Sequence, residues 1–211
     1  MFSCAVAESS DWAQDAELLR RWRAGDNRAG AEIYDRHAPA LARFFQNKLP
    51  DQCEEMMQQT FLALVESRDR INEGVTLRAF ILSIARHKLI DHLRKLSGGR
   101  YEAEELGSIA ALAPGASTIV AQKREQRLLL EGLRRIPIEH QTALELYYWE
   151  GLNANEIAAV FGISHSAMRS RLAKARSLLE QAMAELSTTP ELLSSTISGL
   201  DDWAAQIRAK L

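Results

Sequence analysis

The sequence is poor in the residues that build disulfide frameworks, metal clusters and membrane spans. Its 211 residues include two cysteines, Cys4 and Cys53, which lie far apart and form neither a disulfide framework nor a metal-ligand pattern. No apolar run approaches the roughly 20 residues that cross a bilayer. Met1 to Ser10 lacks the basic start and apolar stretch of a signal peptide. We therefore expect a cytoplasmic protein in a reducing compartment, with no membrane insertion.

Signatures of catalysis and of cofactor binding are also missing. The five histidines are scattered, and no two of them form a convincing ligand pair with a carboxylate. Asp91 and His92 are neighbours in a predicted helix, so their side chains point about 100° apart. There is no nucleophile constellation and no glycine-rich phosphate loop. We predict no enzyme activity, no metal site and no cofactor.

Glycine and proline are scarce, with 11 and 5 residues, and the chain is instead rich in helix-favouring Leu, Ala, Glu, Arg and Gln. The net charge of −2 argues against indiscriminate coating of nucleic acid, yet allows local basic patches. We predict an all-α fold of two small helical domains, 11–97 and 120–186. A linker, 98–119, joins them, with an apolar patch only near Ile109 to Leu112. An amphipathic helical tail, 187–211, follows the second domain.

The first domain is predicted to contain four helices. The first runs from Asp11 to Trp22, and the third begins at Asp51, which would cap it together with Glu54. Pro39 lies inside the second helix and predicts a kink or a split there. The apolar stripes expected to face the core are Tyr34, Ala38, Leu41 and Phe45 in the second helix and Cys53, Met57, Phe61 and Leu64 in the third.

The fourth helix, from Thr76 or Leu77 to about Leu96, has two contrasting faces. It follows a polar loop, Ser67 to Thr76. One face is apolar and comprises Ala85, Leu89, Leu93 and Leu96. The opposite face is mostly basic and comprises His87, Lys88, Asp91, Arg94 and Lys95.

The stretch from Asn153 to Leu179 has the pattern of a helix-turn-helix. Asn153 and Ser164 are placed to cap two helices, and Gly162 supplies a residue that tolerates positive φ in the short turn between them. Ala158 is small enough for the second helix to pack against it. The inner stripe of that second helix is Met168, Leu172, Ala175 and Leu179. Before this motif, Tyr147, Tyr148 and Trp149 are interpreted as core residues rather than as a stacking platform.

The outer face of the second helix has the composition of a helix that reads a DNA groove. From Ile163 to Leu179 there are four basic residues and no acidic ones. Small polar residues approach base edges, while basic residues hold phosphates. Arg169 is the best candidate for a bidentate contact to guanine. The predicted DNA-binding residues are Ser166, Ala167, Arg169, Ser170, Arg171, Lys174 and Arg176.

These segments together resemble the extracytoplasmic function (ECF) sigma factors of bacterial RNA polymerase. Met168 to Arg176, MRSRLAKAR, is similar to the family's VKSRLxRAR in region 4, which reads the promoter −35 element. LRAFILSIARHKLIDHLRK, from Leu77 to Lys95, resembles the family's region 2, as do IYDRHAPALARFF at Ile33 and EMMQQTFLALV at Glu55. The resemblance extends from about Glu17 to Leu186 and keeps the order of both domains.

The resemblance implies a role for each surface. Core RNA polymerase and promoter DNA become the expected partners, and the chain would direct promoter-specific initiation and assist melting. Region 2 would dock on the polymerase clamp through Glu55, Met56, Gln58 and Gln59. The −10 element would meet Asn72, His87, Lys88, Arg94 and Lys95. An anti-sigma partner is a further possibility.

Three other functions compete with this interpretation. A helix-turn-helix repressor or activator would need a dimer to read two half-sites, yet the chain shows no sustained heptad and the first domain would have no role. An interaction adaptor would not need a basic recognition helix, and an enzyme lacks an assembled site. The tail itself leaves two alternatives open, docking on the protein's own surface or regulation of polymerase access. Its predicted stripe is Leu193, Ile197, Leu200, Ala204, Ile207 and Leu211.

Overall fold

The structure is a computed structural model that describes residues 3–71, 76–98, 106–112 and 123–208. Within these ranges the regular elements are α-helices and two short 3-10 turns. The all-α prediction is therefore confirmed. The helices form two bundles, α1–α4 and α6–α9, which pack directly against each other, and the C-terminal helices α10 and α11 cover one side of the second bundle.

The first bundle consists of α1 (Ser3–Arg23), α2 (Asn27–Gln46), α3 (Cys53–Ser67) and α4 (Leu77–Leu96). The first helix starts eight residues before the predicted Asp11. Pro39 neither splits nor ends α2, and its side chain is exposed, so the carbonyl it leaves unpaired lies on the side that faces water. Thr76 caps α4 by accepting a hydrogen bond from the Ala79 amide, as its position predicts.

One prediction about α3 is wrong and another is confirmed only in part. Asp51 lies in the 3-10 turn Pro50–Gln52, and the N-cap of α3 is Gln52, which makes no side-chain capping bond. The fully buried residues of α3 are Met56, Thr60 and Leu64, while Cys53, Met57 and Phe61 of the predicted stripe are only partly buried against the core. Thr60 tolerates burial because its hydroxyl donates to the carbonyl of Met56 at 2.7 Å.

The core of the first bundle lies between its four helices, with the most extensive contacts between α1 and α2 and between α3 and α4. Its large buried side chains include Trp22, Ile33, Phe45 and Leu89. Gly30 is required at the α1–α2 contact, since a Cβ there would stand 2.6 Å from the Trp22 indole nitrogen. Two residues assigned to the inner stripes are instead largely exposed, Tyr34 at 47% and Leu96 at 54%. Both lie at the edges of their predicted stripes, where periodicity alone does not define the boundary.

The second bundle consists of α6 (Arg124–Arg135), α7 (Ile138–Tyr148), α8 (Ala154–Phe161) and α9 (His165–Leu186). Pro137 separates α6 from α7. Gly132 on α6 allows α9 to approach closely, because a Cβ there would lie 2.8 Å from the Met183 Cγ. The short helix α5 (Ile109–Leu112) lies within the predicted linker and packs on α6 through the fully buried Ile109.

The tail forms two helices, α10 (Pro190–Ser198) and α11 (Leu200–Arg208), with Gly199 between them. Both contact α6, and they also reach α9 and α7 respectively. Thr196 is fully buried, whereas Ile197 is 38% exposed, so the predicted stripe is rotated from the observed contact side. Of the other predicted stripe residues, Leu193 and Leu200 are partly buried against the core, as predicted. Ala204, Ile207 and Leu211 lie outside the side chains that the structure describes. The docking alternative is thus what the structure shows, and regulation by the tail stays a prediction.

Candidate nucleic-acid interface

The helix-turn-helix predicted between Asn153 and Leu179 is confirmed in its local geometry. Asn153 accepts hydrogen bonds from the amides of Asn155 and Glu156, and the Glu156 carboxylate accepts one from the Asn153 amide in return, which completes a capping box. Gly162 ends α8 in the left-handed conformation with φ of 67°. Ser164 then caps α9 by accepting from the Ala167 amide.

This geometry turns one face of α9 towards solvent. The inner stripe Met168, Leu172, Ala175 and Leu179 is buried, as predicted. Six residues share the exposed face opposite this stripe, and they are Ser166, Ala167, Arg169, Ser170, Ala173 and Lys174. Their combination of short side chains at the N-terminal half with basic residues further along suits close approach to a DNA groove.

Arg171 and Arg176 lie at the flanks of this face and are only half-exposed. Arg171 stacks over the Phe161 ring at 5.3 Å, and its guanidinium lies 3.7 Å from the carboxylate of Glu139. Arg176 lies over the Tyr147 and Tyr148 rings and donates to the Tyr148 hydroxyl at 3.2 Å. Trp149 is a core residue at 2% exposure, as predicted, whereas Tyr147 is exposed and Tyr148 is partly buried against the core, and both tyrosines contact Arg176. They hold an arginine beside the recognition face.

The basic face predicted on α4 lies on the surface of the first bundle. His87 and Lys95 are exposed, while Lys88 and Arg94 are partly covered. The Nδ1 of His87 lies 2.7 Å from the carbonyl of Ser83, one turn earlier, which orients the ring along the helix. Asn72, the fifth residue predicted to meet the −10 element, lies outside the described residues.

The outer surface of α3 carries three of the four residues predicted to contact polymerase. Glu55 and Gln58 are exposed, and Gln59 donates to the Glu55 carboxylate at 2.9 Å. The prediction that Met56 contacts polymerase is wrong, because Met56 is only 2% exposed and packs in the core. The buried side of α3 is rotated from the predicted one.

Sequence reasoning missed the apolar part of this surface. Leu62 and Val65 are exposed at 61% and 47%, and Tyr34 of α2 stacks with Phe61 at a ring distance of 4.4 Å beside them. The sequence did contain a sign of this surface, because α3 carries apolar residues on all sides, more than a helix buried on one side needs. The exposed apolar residues indicate that α3 contacts a second partner.

A second feature that sequence reasoning missed is a set of carboxylates buried between the two bundles. Glu150 accepts from Arg43 at 2.7 and 2.9 Å and from Arg78 at 2.5 Å. Glu139 accepts two bonds from Arg86, at 3.0 and 2.6 Å. These pairs join residues far apart in sequence, so no local pattern announces them.

Glu145 is the most deeply buried of these carboxylates. It accepts hydrogen bonds from Lys48, Asn47 and Gln141, so its oxygens are satisfied although it is only 2% exposed. Lys48 is fully buried, and its Nζ also donates to the carbonyl of Phe44 at 2.7 Å. Burial lowers the pKa of Lys48, while the charge of Glu145 opposes that shift.

His140 lies on α7 against α9. Burial, followed by the charges of Arg171 and Lys174, lowers the pKa of His140. No group of three or more His, Cys, Asp or Glu residues in the described ranges could hold a metal ion. None of the helices in the same ranges is long and apolar enough to cross a membrane.

Comparisons with known proteins agree with the division into two bundles. Residues 33–98 match the family model for sigma-70 region 2, and residues 126–179 match the model for sigma-70 region 4. Together the matches cover more than half of the chain. Among curated relatives, the RNA polymerase sigma factor CarQ of Myxococcus xanthus is 28% identical over 172 residues, 80% of this chain and 97% of the relative. The ECF RNA polymerase sigma factor SigL of Mycobacterium tuberculosis is 26% identical over 162 residues, 74% of this chain and 90% of the relative.

Two solved structures share the fold. CnrH in complex with the cytosolic domain of CnrY has a TM-score of 0.59 at 21% identity, over 82% of this chain and 99% of CnrH. The sigma factor RpoE in complex with the anti-sigma factor NepR, from Bartonella quintana, has a TM-score of 0.56 at 20% identity, over 73% of this chain and 96% of RpoE.

Proposed function

This chain belongs to the ECF sigma factors, which direct promoter-specific transcription initiation by bacterial RNA polymerase, and from that premise we propose which of its surfaces does what. The domain covering 11–97, with region 2, would bind polymerase and the −10 element. The domain covering 120–186, with region 4, would read the −35 element. The observation that carries the proposal is the exposed face of α9, which is basic, free of acidic residues and positioned by two capped helices.

In region 4, we assign base contact to Arg169 and the N-terminal Ser166, Ala167 and Ser170. Arg169 is exposed near the start of α9, where a guanidinium can reach a guanine edge in the major groove. Lys174, Arg171 and Arg176 lie further along or at the flanks and suit phosphates, which run along the walls of the groove.

In region 2, two separate helices would serve two partners. On α4, His87, Lys88, Arg94 and Lys95 would follow the phosphates of the −10 element, with Asn72 in the preceding loop as the predicted contact to an unstacked base. On α3, the polar residues Glu55, Gln58 and Gln59 border the exposed Leu62 and Val65. An apolar centre with a polar rim is the usual composition of a protein interface, so we assign this surface to the polymerase clamp.

Three further points follow from the proposed role. Catalysis would belong to the polymerase and not to this chain, and the site of action would be the cytoplasm, where the polymerase works. The solved relatives CnrH and RpoE are bound to other proteins, CnrY and the anti-sigma factor NepR. An anti-sigma partner for this chain stays a prediction.

The first experiment is co-elution of the purified chain with bacterial core RNA polymerase on a sizing column, followed by run-off transcription. We expect a one-to-one complex. Leu62→Lys should abolish co-elution, because it places a charge in the apolar centre of the α3 surface. Leu96→Lys, at an equally exposed leucine of α4, is the matched control and should still co-elute. Failure of the wild-type chain to co-elute, with duplex binding retained, would favour a polymerase-independent DNA-binding regulator.

The −35 assignment has its own test. Arg169→Ala should weaken binding to a promoter duplex by about 1–3 kcal/mol and relax the base preference at one position. Arg124→Ala, at an exposed arginine at the start of α6, removes the same charge and should leave that preference unchanged. If the two substitutions weaken duplex binding equally and neither changes the base preference, Arg169 contributes only general attraction between charges.

A further inference from the structure

The bundles that carry the two promoter-reading helices are held together by charges buried at their interface. The three carboxylates Glu139, Glu145 and Glu150 belong to the second bundle and are at most 5% exposed. Their cationic partners Arg43, Lys48, Arg78 and Arg86 all belong to the first bundle. These ion pairs are complementary, with the acids on the second bundle and their bases on the first, and the buried Arg134 of the second bundle also donates across the interface to the carbonyl of Asn47.

This closed arrangement conflicts with reading a promoter. The −35 and −10 elements are more than two turns of duplex apart, roughly 70 Å at about 34 Å per turn. In the closed chain, α4 packs on α8, the helix directly before the recognition helix α9. Only about 10 Å, the width of one helix, then separates the two reading helices. The bundles must separate before both elements can be bound at once.

One of the buried carboxylates also touches the DNA-reading helix. Glu139 lies 3.7 Å from the guanidinium of Arg171 on α9 while it pairs with Arg86 of α4. Both guanidinium groups stack over the same ring, that of Phe161, at 4.5 and 5.3 Å. Arg171 thus faces a carboxylate in the closed chain, at a position where we assign it a phosphate on DNA.

The chemistry of the interface suits a contact that forms and breaks. The partners of a buried ion pair regain hydration when they separate, and this offsets most of the attraction that is lost. Such a pair therefore fixes the register of two surfaces but adds little to their net stability. A purely apolar interface of the same kind would leave a large hydrophobic surface exposed after opening. Here the surfaces uncovered on opening would carry these cations and carboxylates beside apolar residues such as Phe161, over which Arg86 stacks.

We propose that the ion pairs of Glu139 with Arg86 and of Glu150 with Arg43 and Arg78 form an electrostatic latch that keeps the free chain closed until polymerase binding separates the bundles. Glu145 and Lys48 fix the register of the closed state at its centre. Opening allows α4 and α9 to reach their separate elements. This inference rests on the proposed function for the identity of the two reading helices.

The experiment compares the full chain with its Glu139→Gln/Glu150→Gln variant by small-angle X-ray scattering. A compact chain of this length has a radius of gyration of about 17 Å. We expect the wild type near that value and the variant well above it, with unchanged helical content by circular dichroism. Glu185→Gln/Glu191→Gln is the matched control, since it removes the same charge at two exposed sites and should stay compact.

DNA binding by the free chain provides the second readout. The probe is a fluorescein-labelled duplex of mixed sequence at fixed salt. We expect the latch variant to bind it about fivefold more tightly than the charge-matched control, within the usual range of coupling between linked sites. Glu150→Gln alone, which leaves Glu139 in place beside Arg171, should give part of the same gain, because it loosens the latch without changing the charge next to Arg171.

A pair of substitutions in the first bundle tests whether any expansion comes from loss of the ion pairs and not from a local disturbance of α7. Arg43→Gln/Arg78→Gln removes the partners of Glu150 in the first bundle and should raise the radius of gyration in the same way. If both pairs of substitutions leave the radius and the duplex affinity equal to those of the control, the latch is wrong. Co-elution with core polymerase would then still support the sigma function, so the two failures are distinguishable.

Discussion

The second bundle has two covered faces that are built from opposite chemistry. The face towards the first bundle holds three carboxylates with their cationic partners. The face under the tail is mainly apolar, with Leu129, Leu133 and Leu179 beside Leu200 of α11, and its polar contacts are uncharged on the tail side. An ionic face can separate and be hydrated, whereas an apolar face loses stability whenever it is uncovered. The first face therefore acts as a contact that opens, and the second as a permanent part of the fold.

The largest effect is expected from truncating the apolar face. Leu133→Ala leaves a cavity between α6, α9 and the tail, where Leu133 is 3% exposed. It should lower the free energy of unfolding by about 2–5 kcal/mol. Urea unfolding followed by circular dichroism measures this loss. Leu96→Ala, at an exposed leucine, is the control, and an equal loss there would contradict the assignment of Leu133 to a packed core.

Removal of the tail should have the next largest effect. A chain that ends before Pro190 uncovers the surface against which Leu192, Leu193 and Leu200 are partly buried. We expect a loss of roughly 2–3 kcal/mol, since each of these contacts is worth less than a fully buried leucine. Unfolding of the truncated chain in urea tests this value.

Run-off transcription with the same truncated chain separates the two alternatives for the tail. Unchanged promoter output at a temperature where the truncated chain stays folded would rule out regulation. Increased output would support a tail that limits access to polymerase.

Breaking an ion pair between the bundles should lower the free energy of unfolding by less than the burial of the pair suggests. Lys48→Met leaves Glu145 without its cation, and a buried pair broken in this way costs about 3–5 kcal/mol where the site cannot open. Here the bundles can separate and hydrate Glu145, so we expect a loss of about 1 kcal/mol or less together with an increased radius of gyration. A loss of several kcal/mol with no expansion would show that the ionic face is as permanent as the apolar one.

The smallest effect is a pH dependence within the second bundle. The pKa of His140 is lowered in the folded chain from its usual 6.5, so the unfolded chain binds the proton more tightly. Stability should therefore be constant above pH about 6.5 and fall as the pH drops below it. The His140→Leu variant should lack this part of the slope. Urea unfolding near pH 7.5 and near pH 5.5 compares the two chains, and parallel slopes would exclude His140 as the cause.

Local signals predicted the helix-turn-helix well. Asn153, Gly162 and Ser164 act through backbone groups only a few residues away, so their roles follow from spacing alone. The inner stripe of α9 was equally clear, because four apolar residues recur at helical spacing with polar residues between them. Burial was harder to predict for α3, where apolar residues on all sides left the position of Met56 undetermined.

The order and spacing of the residues were enough to predict a helical protein with two domains and a basic outer face on α9. These properties depend on short-range hydrogen bonds and on the periodicity of apolar residues. The burial of Glu139, Glu145 and Glu150 against cations of the first bundle, and the covering of α6 by the tail, follow only from how the helices pack. Such contacts join residues that are 53 to 107 positions apart, and their energy depends on desolvation, which exists only once the two surfaces meet.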